Sequence, residues 1–264
     1  MQSVDLGTEH LIFEADGPLA WLTFNRPEAR NAMTFQMYDG LVQACEWVDG
    51  HPDVRVLLLR GAGDKAFVAG TDIGQFQQFT TREDILGYEE RMDRVLGRLE
   101  RVERPTIAVI RGYAVGGGGA IAAACDLRIG APDLQFGFPV ARTLGNCLNM
   151  GNYARLVGMI GASRTKELLF TARMIGAEEA LRLGAVNEIV PAEGLEERAR
   201  ELATTIAANA PLTLRASKEA VRRLMETDGT SESEDLVLMC YQSEDFREGV
   251  TSFMEKRKPV WKGR

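Results

Sequence analysis

Along the first two-thirds of the chain, short apolar runs of strand-like composition alternate with segments whose apolar residues recur at helical spacing. Residues 11–14 and 19–24 read as strands on either side of an Asp16-Gly17-Pro18 turn. Across residues 31–48 the apolar positions Met33, Met37, Leu41, Ala44, Cys45 and Val48 fall on one helical face. Residues 54–60 predict a strand closed by Gly61-Ala62-Gly63, residues 82–101 a largely polar helix, and residues 105–111 another strand. Four glycines, Gly116 to Gly119, then lead into residues 120–125, a small-residue helix narrow enough to be buried on all sides. Residues 126–129 and 134–138 are again strand-like.

From about residue 146 the pattern turns mostly helical, with helices at 163–170 and 177–183, the second stopped by Gly184. A short strand at 186–190 precedes Pro191, and helices are predicted from about residue 193 to the end. Repeated β–β–α units imply an α/β core with stacked sheets. No stretch is rich enough in Gly, Pro or Ser to act as a linker. The expected organisation is a core over residues 1–195, with a helical region over 196–264 that is not an independent domain.

Charge narrows the function classes. A net charge of −7 gives no general attraction to nucleic acid or to an anionic membrane. An anionic ligand therefore needs a local basic or N–H-rich site. The dense basic run is Lys256-Arg257-Lys258 with Lys262 and Arg264. Cys45, Cys125, Cys147 and Cys240 form no CxxC or Cys/His spacing, and no signal peptide is evident, so reduced thiols in a cytoplasmic protein are expected. His10 and His51 have no ligand partners nearby, so no metal site is expected. No apolar stretch is long enough to span a membrane.

Two glycine-containing strand-to-helix turns carry the candidate chemistry: residues 66–73, with Ala69-Gly70-Thr71-Asp72-Ile73, and Gly112-Tyr113-Ala114-Val115 followed by the four glycines. Each can aim free backbone N–H groups at an anionic oxygen, and small residues let a ligand approach the backbone closely. Two such groups from different turns make an oxyanion hole. Taken singly, each turn equally well just bends the chain. Gly117 to Ala122 also satisfies G-x-G-x-x-A, but its helix is short and no acidic residue ends a second strand at the spacing a dinucleotide fold needs.

In order and spacing, these segments resemble the crotonase (enoyl-CoA hydratase/isomerase) superfamily over nearly the whole chain. The similarity runs through Asn25 to Ala32, Ala66 to Ile73, Gly112 to Asp126, Gln135 to Pro139, Gly176 to Val190 and Phe246 to Lys262. The resemblance implies a spiral of β–β–α turns with a C-terminal helical region used for trimer contacts, assembled as a trimer or dimer of trimers. It implies an acyl-CoA substrate, with coenzyme A part of the thioester and no separate cofactor. The oxyanion hole maps onto the N–H groups of Thr71 and Gly117. Arg30 and the turn Ala69, Gly70, Thr71, Asp72 and Ile73 flank the nucleotide end of coenzyme A. Phe253 and Lys256 fall where the family contributes ligand contacts from a C-terminal helix, although Lys256 reads equally as a solvated tail charge. RNA binding, known for some relatives, is disfavoured by the acidic charge.

The departures weigh most. Family hydratases place one glutamate where this chain has Ala120 and a second where it has Val140. Water addition needs a base for the water and an acid for the α-carbon. Without them, isomerisation, decarboxylation or thioester hydrolysis fits better than hydration, and a non-catalytic acyl-CoA-binding or scaffold protein is the rival reading. Downstream polar residues Arg142, Thr143, Asn146, Cys147, Asn149 and Asn152 are substitutes in principle, with Asn146 and Cys147 the weak candidates; a small buried thiol is the plainer reading of Cys147. Glu89, Glu90 and Asp93 read as solvated positions on a helix surface.

Overall fold

An antiparallel meander, β1 (Gln2–Val4), β2 (Leu11–Asp16) and β3 (Leu19–Phe24), opens the chain, and α1 (Phe35–Gly50) crosses back to the first parallel strand. The computed structural model describes residues 2–78, 80–226 and 234–264, leaving out the side chains of Gln77, Gln78 and Phe253. One plan then repeats. β4 (Val56–Gly61) and β5 (Ala66–Val68) lead into α2 (Arg82–Glu100), and β6 (Thr106–Ile110) and β7 (Tyr113–Val115) into α3 (Gly117–Ala124). β8 (Leu127–Gly130) and β9 (Gln135–Gly137) lead into α4 (Val140–Thr143) and α5 (Met150–Thr171). A shorter unit follows, β10 (Ile175–Gly176), α6 (Ala177–Leu183) and β11 (Glu188–Ile189). Among the described residues, four helices end the fold: α7 (Leu195–Ala207), α8 (Pro211–Glu226), α9 (Glu234–Tyr241) and α10 (Glu244–Glu255).

The first strand of each repeat joins a seven-stranded sheet ordered β1-β2-β3-β4-β6-β8-β11, and the second joins a four-stranded sheet ordered β10-β9-β7-β5. Pairing is parallel from β3 through β11 and across β5, β7 and β9. Parallel neighbours need a long crossover, which the helices supply, and both faces of such a sheet are covered. Period-two alternation in β4 shows this directly. Leu57 and Leu59 face the main core with Phe24, Leu41 and Phe67, while Val56 and Leu58 face a second core closed by Leu195, Ala199 and Ala203 of α7.

The structure moves three helix boundaries away from the sequence expectation. Helix α1 starts at Phe35, four residues later than the apolar spacing predicts. Arg30 and Asn31 take left-handed backbone, with φ of 52° and 58°, and Thr34 caps the helix by accepting the Met37 N–H at 3.2 Å. Helix α5 begins at Met150 rather than near 163, with Asn149 as its cap and non-helical backbone at Gly161, so the expected segment is only its second half. At the other end, helix stops at Glu255. Lys256 turns left-handed at φ 56°, and the last residues fold back, Lys262 and Gly263 donating their N–H groups to the Asp245 carboxylate at 2.6 and 2.9 Å.

Candidate active site

The first glycine turn leaves the end of β5 clamped against residues 30–33. Ala69 N–H donates to the Arg30 carbonyl at 3.0 Å, Met33 N–H to Gly70 at 2.9 Å, and Asp72 N–H to Met33 at 2.9 Å. Gly70 sits at φ +102°, a conformation side chains rarely adopt. Asn31 is fully buried behind this turn and donates to the carbonyls of Ala62 and Ala66 at 3.0 and 2.8 Å. Outside it, the Arg26 guanidinium donates to Asp72 at 2.7 Å, and this bond, chief among the causes, holds the Asp72 carboxyl below its ordinary pKa. The turn continues into a 3-10 helix over Ile73–Gln78, not into an α-helix as expected.

The second turn passes through Gly116, at φ +54°, into the N-terminus of α3. A Cβ on Gly118 would collide with the Val68 carbonyl, so the helix can lie directly on the end of β5 only with glycine there. A Cβ on Gly117 would fall 2.5 Å from the Tyr38 hydroxyl, 3.0 Å from Thr71 Oγ1 and 3.5 Å from the Thr71 nitrogen. The two turns therefore meet at Thr71 and Gly117. Among the described residues, neither backbone N–H has a hydrogen-bond partner. The Thr71 side chain is engaged elsewhere. Its Oγ1 lies 2.8 Å from the Tyr38 hydroxyl and 3.3 Å from the Tyr88 hydroxyl, tying the turn to α1 and α2. Burial pushes both phenols above their ordinary pKa, so they stay neutral.

Both N–H groups border a cavity of about 220 Å³, below the roughly 300 Å³ that drug-sized ligands occupy. Ala69, Gly70, Thr71, Ile73, Gly117, Asn146 and Cys147 all line it, as do Ala120 and Val140. Arg30 and Asp72 do not; Arg30 holds the turn through its carbonyl and Asp72 through its bond to Arg26, and the exposed Arg30 guanidinium lies 5.7 Å from the Tyr113 ring centre. Lys256 is exposed just past α10 and is not part of the cavity wall. The Phe253 side chain lies outside the described residues.

Of the downstream polar group, Thr143, Asn149 and Asn152 line the cavity but carry structural bonds. Thr143 donates to the Pro139 carbonyl at 3.0 Å, Asn149 Oδ1 accepts the Asn152 N–H at 2.9 Å, and Asn152 Oδ1 accepts from Arg155 at 3.1 Å. Cys147 is exposed, not the small buried thiol that its sequence suggests. The buried thiols are Cys45 and Cys125, both pushed up to about 12, chiefly by burial.

Sequence reasoning overlooked Glu89. Glu90 and Asp93 are exposed as expected, but Glu89 is half-buried and lines the cavity with Met92 and Leu96. The helical phase held the signal: residue 89 lies three and seven positions before those two apolar residues, on their face. Burial, and then the nearby Asp93 charge, push the Glu89 carboxyl above its ordinary pKa, while Asn149 pulls it down.

Residues 14–264 match the family model described as enoyl-CoA hydratase/isomerase. The chain is 37% identical over 256 residues to the short-chain-enoyl-CoA hydratase of Clostridium acetobutylicum, an alignment covering 94% of this chain and 96% of that one. It is also 37% identical over 257 residues to the crotonyl-CoA hydratase of Syntrophomonas wolfei, covering 95% and 96%. Among solved structures, an enoyl-CoA hydratase from Bacillus anthracis is similar with a TM-score of 0.89 at 31% identity, over 97% of this chain and 100% of that one.

Proposed function

The chain belongs to the enoyl-CoA hydratase/isomerase family, and from that premise we propose that it holds the oxygen of an acyl-CoA thioester on the Thr71 and Gly117 N–H groups and shifts a double bond through an enolate. The observation that carries this reading is the meeting of two unpartnered N–H groups over a cavity with no carboxyl at positions 120 or 140. Hydration, the reaction in the relatives' names, needs two proton-handling groups at once. A double-bond shift needs one, which removes a proton at one carbon and returns it at another. The mostly apolar wall and modest volume suit a short acyl group.

In this reading Arg30 and the Ala69 to Ile73 turn flank the nucleotide end of coenzyme A. Phe253 and Lys256 supply further contacts from a neighbouring subunit of a homotrimer or dimer of trimers, which is why Lys256 lies away from the cavity of its own chain. No separate cofactor takes part. The test is to incubate purified protein with a short 3-enoyl-CoA and follow growth of the conjugated thioester's ultraviolet absorbance. Catalysed growth is expected. Its absence, together with release of carbon dioxide or free thiol from other acyl-CoA esters, would move the assignment to decarboxylation or hydrolysis.

A further inference from the structure

We propose that the Glu89 carboxylate is the group that takes the substrate's proton and returns it, in place of the two missing glutamates. This rests on the isomerisation reading above and names its proton carrier. Among the described residues, Glu89 is the one carboxyl bordering the cavity that the Thr71 and Gly117 N–H groups face. Its position is indexed to those groups. Tyr88, the residue before it, reaches Thr71 Oγ1 with its hydroxyl at 3.3 Å, and its ring packs edge-on against Phe76 with centres 5.0 Å apart. The first half of α2 is thereby fixed against the oxyanion turn, and Thr81 and Asp84 close its N-terminus with a capping box.

Asn149 supplies a second, independent observation. Its Oδ1 is committed to capping α5 by accepting the Asn152 N–H at 2.9 Å, which fixes the orientation of the amide. Its Nδ2 is buried and makes no hydrogen bond of ordinary geometry, yet it is near enough to the Glu89 carboxyl to act on it as a looser donor, favouring the ionised form. A buried donor left unmet is costly, and a closer approach of the ionised Glu89 carboxylate would meet it. The other titratable groups around the cavity do not compete. The Tyr38 and Tyr88 phenols stay neutral, Cys147 lies exposed, and Asp93, one turn further along α2, lies near the start of α5, its Oδ1 3.3 Å from where a Cβ on Gly151 would be.

The step balances without a co-reactant. The carboxylate removes a proton from the α-carbon of a 3-enoyl thioester. The electron pair delocalises through the diene onto the thioester oxygen, which the two N–H groups hold. The carboxylic acid then returns the proton to the γ-carbon, leaving the double bond between the α- and β-carbons. A carboxyl with a raised pKa suits both halves, because ionised and protonated forms are then closer in energy.

The experiment compares wild type, Glu89→Gln, Glu89→Asp and, as a control at an exposed neighbour, Glu90→Gln, on 3-hexenoyl-CoA. It reads kcat, KM, the pH profile and, by calorimetry, binding of hexanoyl-CoA. Glu89→Gln is expected to lower kcat by about 10² to 10⁴ with KM and hexanoyl-CoA binding nearly unchanged. Glu89→Asp should retain part of the rate, and Glu90→Gln should match wild type. The acidic limb of the wild-type profile should lie above the ordinary glutamate value of about 4.3 and vanish from the residual rate of Glu89→Gln. An active wild type with Glu89→Gln within threefold of it overturns the assignment to Glu89 and leaves the isomerisation reading standing. Loss of hexanoyl-CoA binding along with activity makes Glu89 structural and also overturns it. A wild type without turnover overturns both.

Discussion

Gly117 shows how one residue can hold a site open by having no side chain. Any Cβ there would press on the Tyr38 hydroxyl 2.5 Å away and on Thr71 Oγ1 at 3.0 Å, closing the space between the two turns. Replacing it with proline also removes the donor N–H. Loss of one such donor costs about 10² to 10³ in rate. Gly117→Pro should therefore fall at least that far in acyl-CoA turnover while its circular dichroism remains native, and a folded variant with wild-type rates would reject the hole. The glycine turns were legible in sequence because their requirement is local: small residues between a strand and a helix. Glu89 was not. Its polarity suggests solvent, and only the phase of Met92 and Leu96 on α2, together with the neighbouring Asn149 from a different element, makes it a cavity residue.

At the scale of elements, β3, β4 and β6 were readable because each is largely an apolar run, and α1 because it carries an apolar face, whereas the three-residue β5 and β7 were read only as parts of the glycine turns. The apolar periodicity overran the start of α1, where the buried Asn31 and the left-handed Arg30 hold the Ala69 to Ile73 turn instead of continuing a helix. Tertiary demand overrode the pattern at the candidate site. A different junction ties α8 to the core. Lys218 Nζ donates to Asp126 at 2.8 Å and to the Arg104 carbonyl at 3.1 Å, while the same carboxylate oxygen accepts the Thr106 N–H and hydroxyl at 2.7 and 2.9 Å. The Lys218 side chain is only 10% exposed. Lys218→Met keeps its volume and removes charged hydrogen bonds worth about 1.5–3 kcal/mol. Urea titration should show a loss of that order, and an unchanged midpoint would mean that α8 is held by apolar contacts alone.

Over the whole molecule, the C-terminal helices leave large apolar side chains in the open, among them Val221 at 60%, Tyr241 at 63% and Met254 at 75% exposure. An apolar groove of about 750 Å³ lies among α8, α9 and α10, larger than the cavity at the glycine turns but without any such turn. Contiguous exposed apolar surface is where subunits meet, and the proposed assembly would use this groove. Light scattering at micromolar concentration should report a trimer or hexamer, and a monomer would count against the assembly and against a neighbour's Lys256 reaching the ligand. The expectation of assembly comes only from family resemblance, because an exposed apolar residue in sequence looks the same as a buried one. The central claim concerns what the cavity lacks: in the proposed reading it binds and polarises a thioester, yet Ala120 and Val140 stand where water addition needs carboxylates. The direct measurement is the loss of ultraviolet absorbance of crotonyl-CoA with purified wild-type protein. Hydration should be very slow or undetectable, and Ala120→Glu combined with Val140→Glu should raise it if the added volume fits. Wild-type turnover on the order of hundreds per second, in the upper common range for enzymes, would contradict the account.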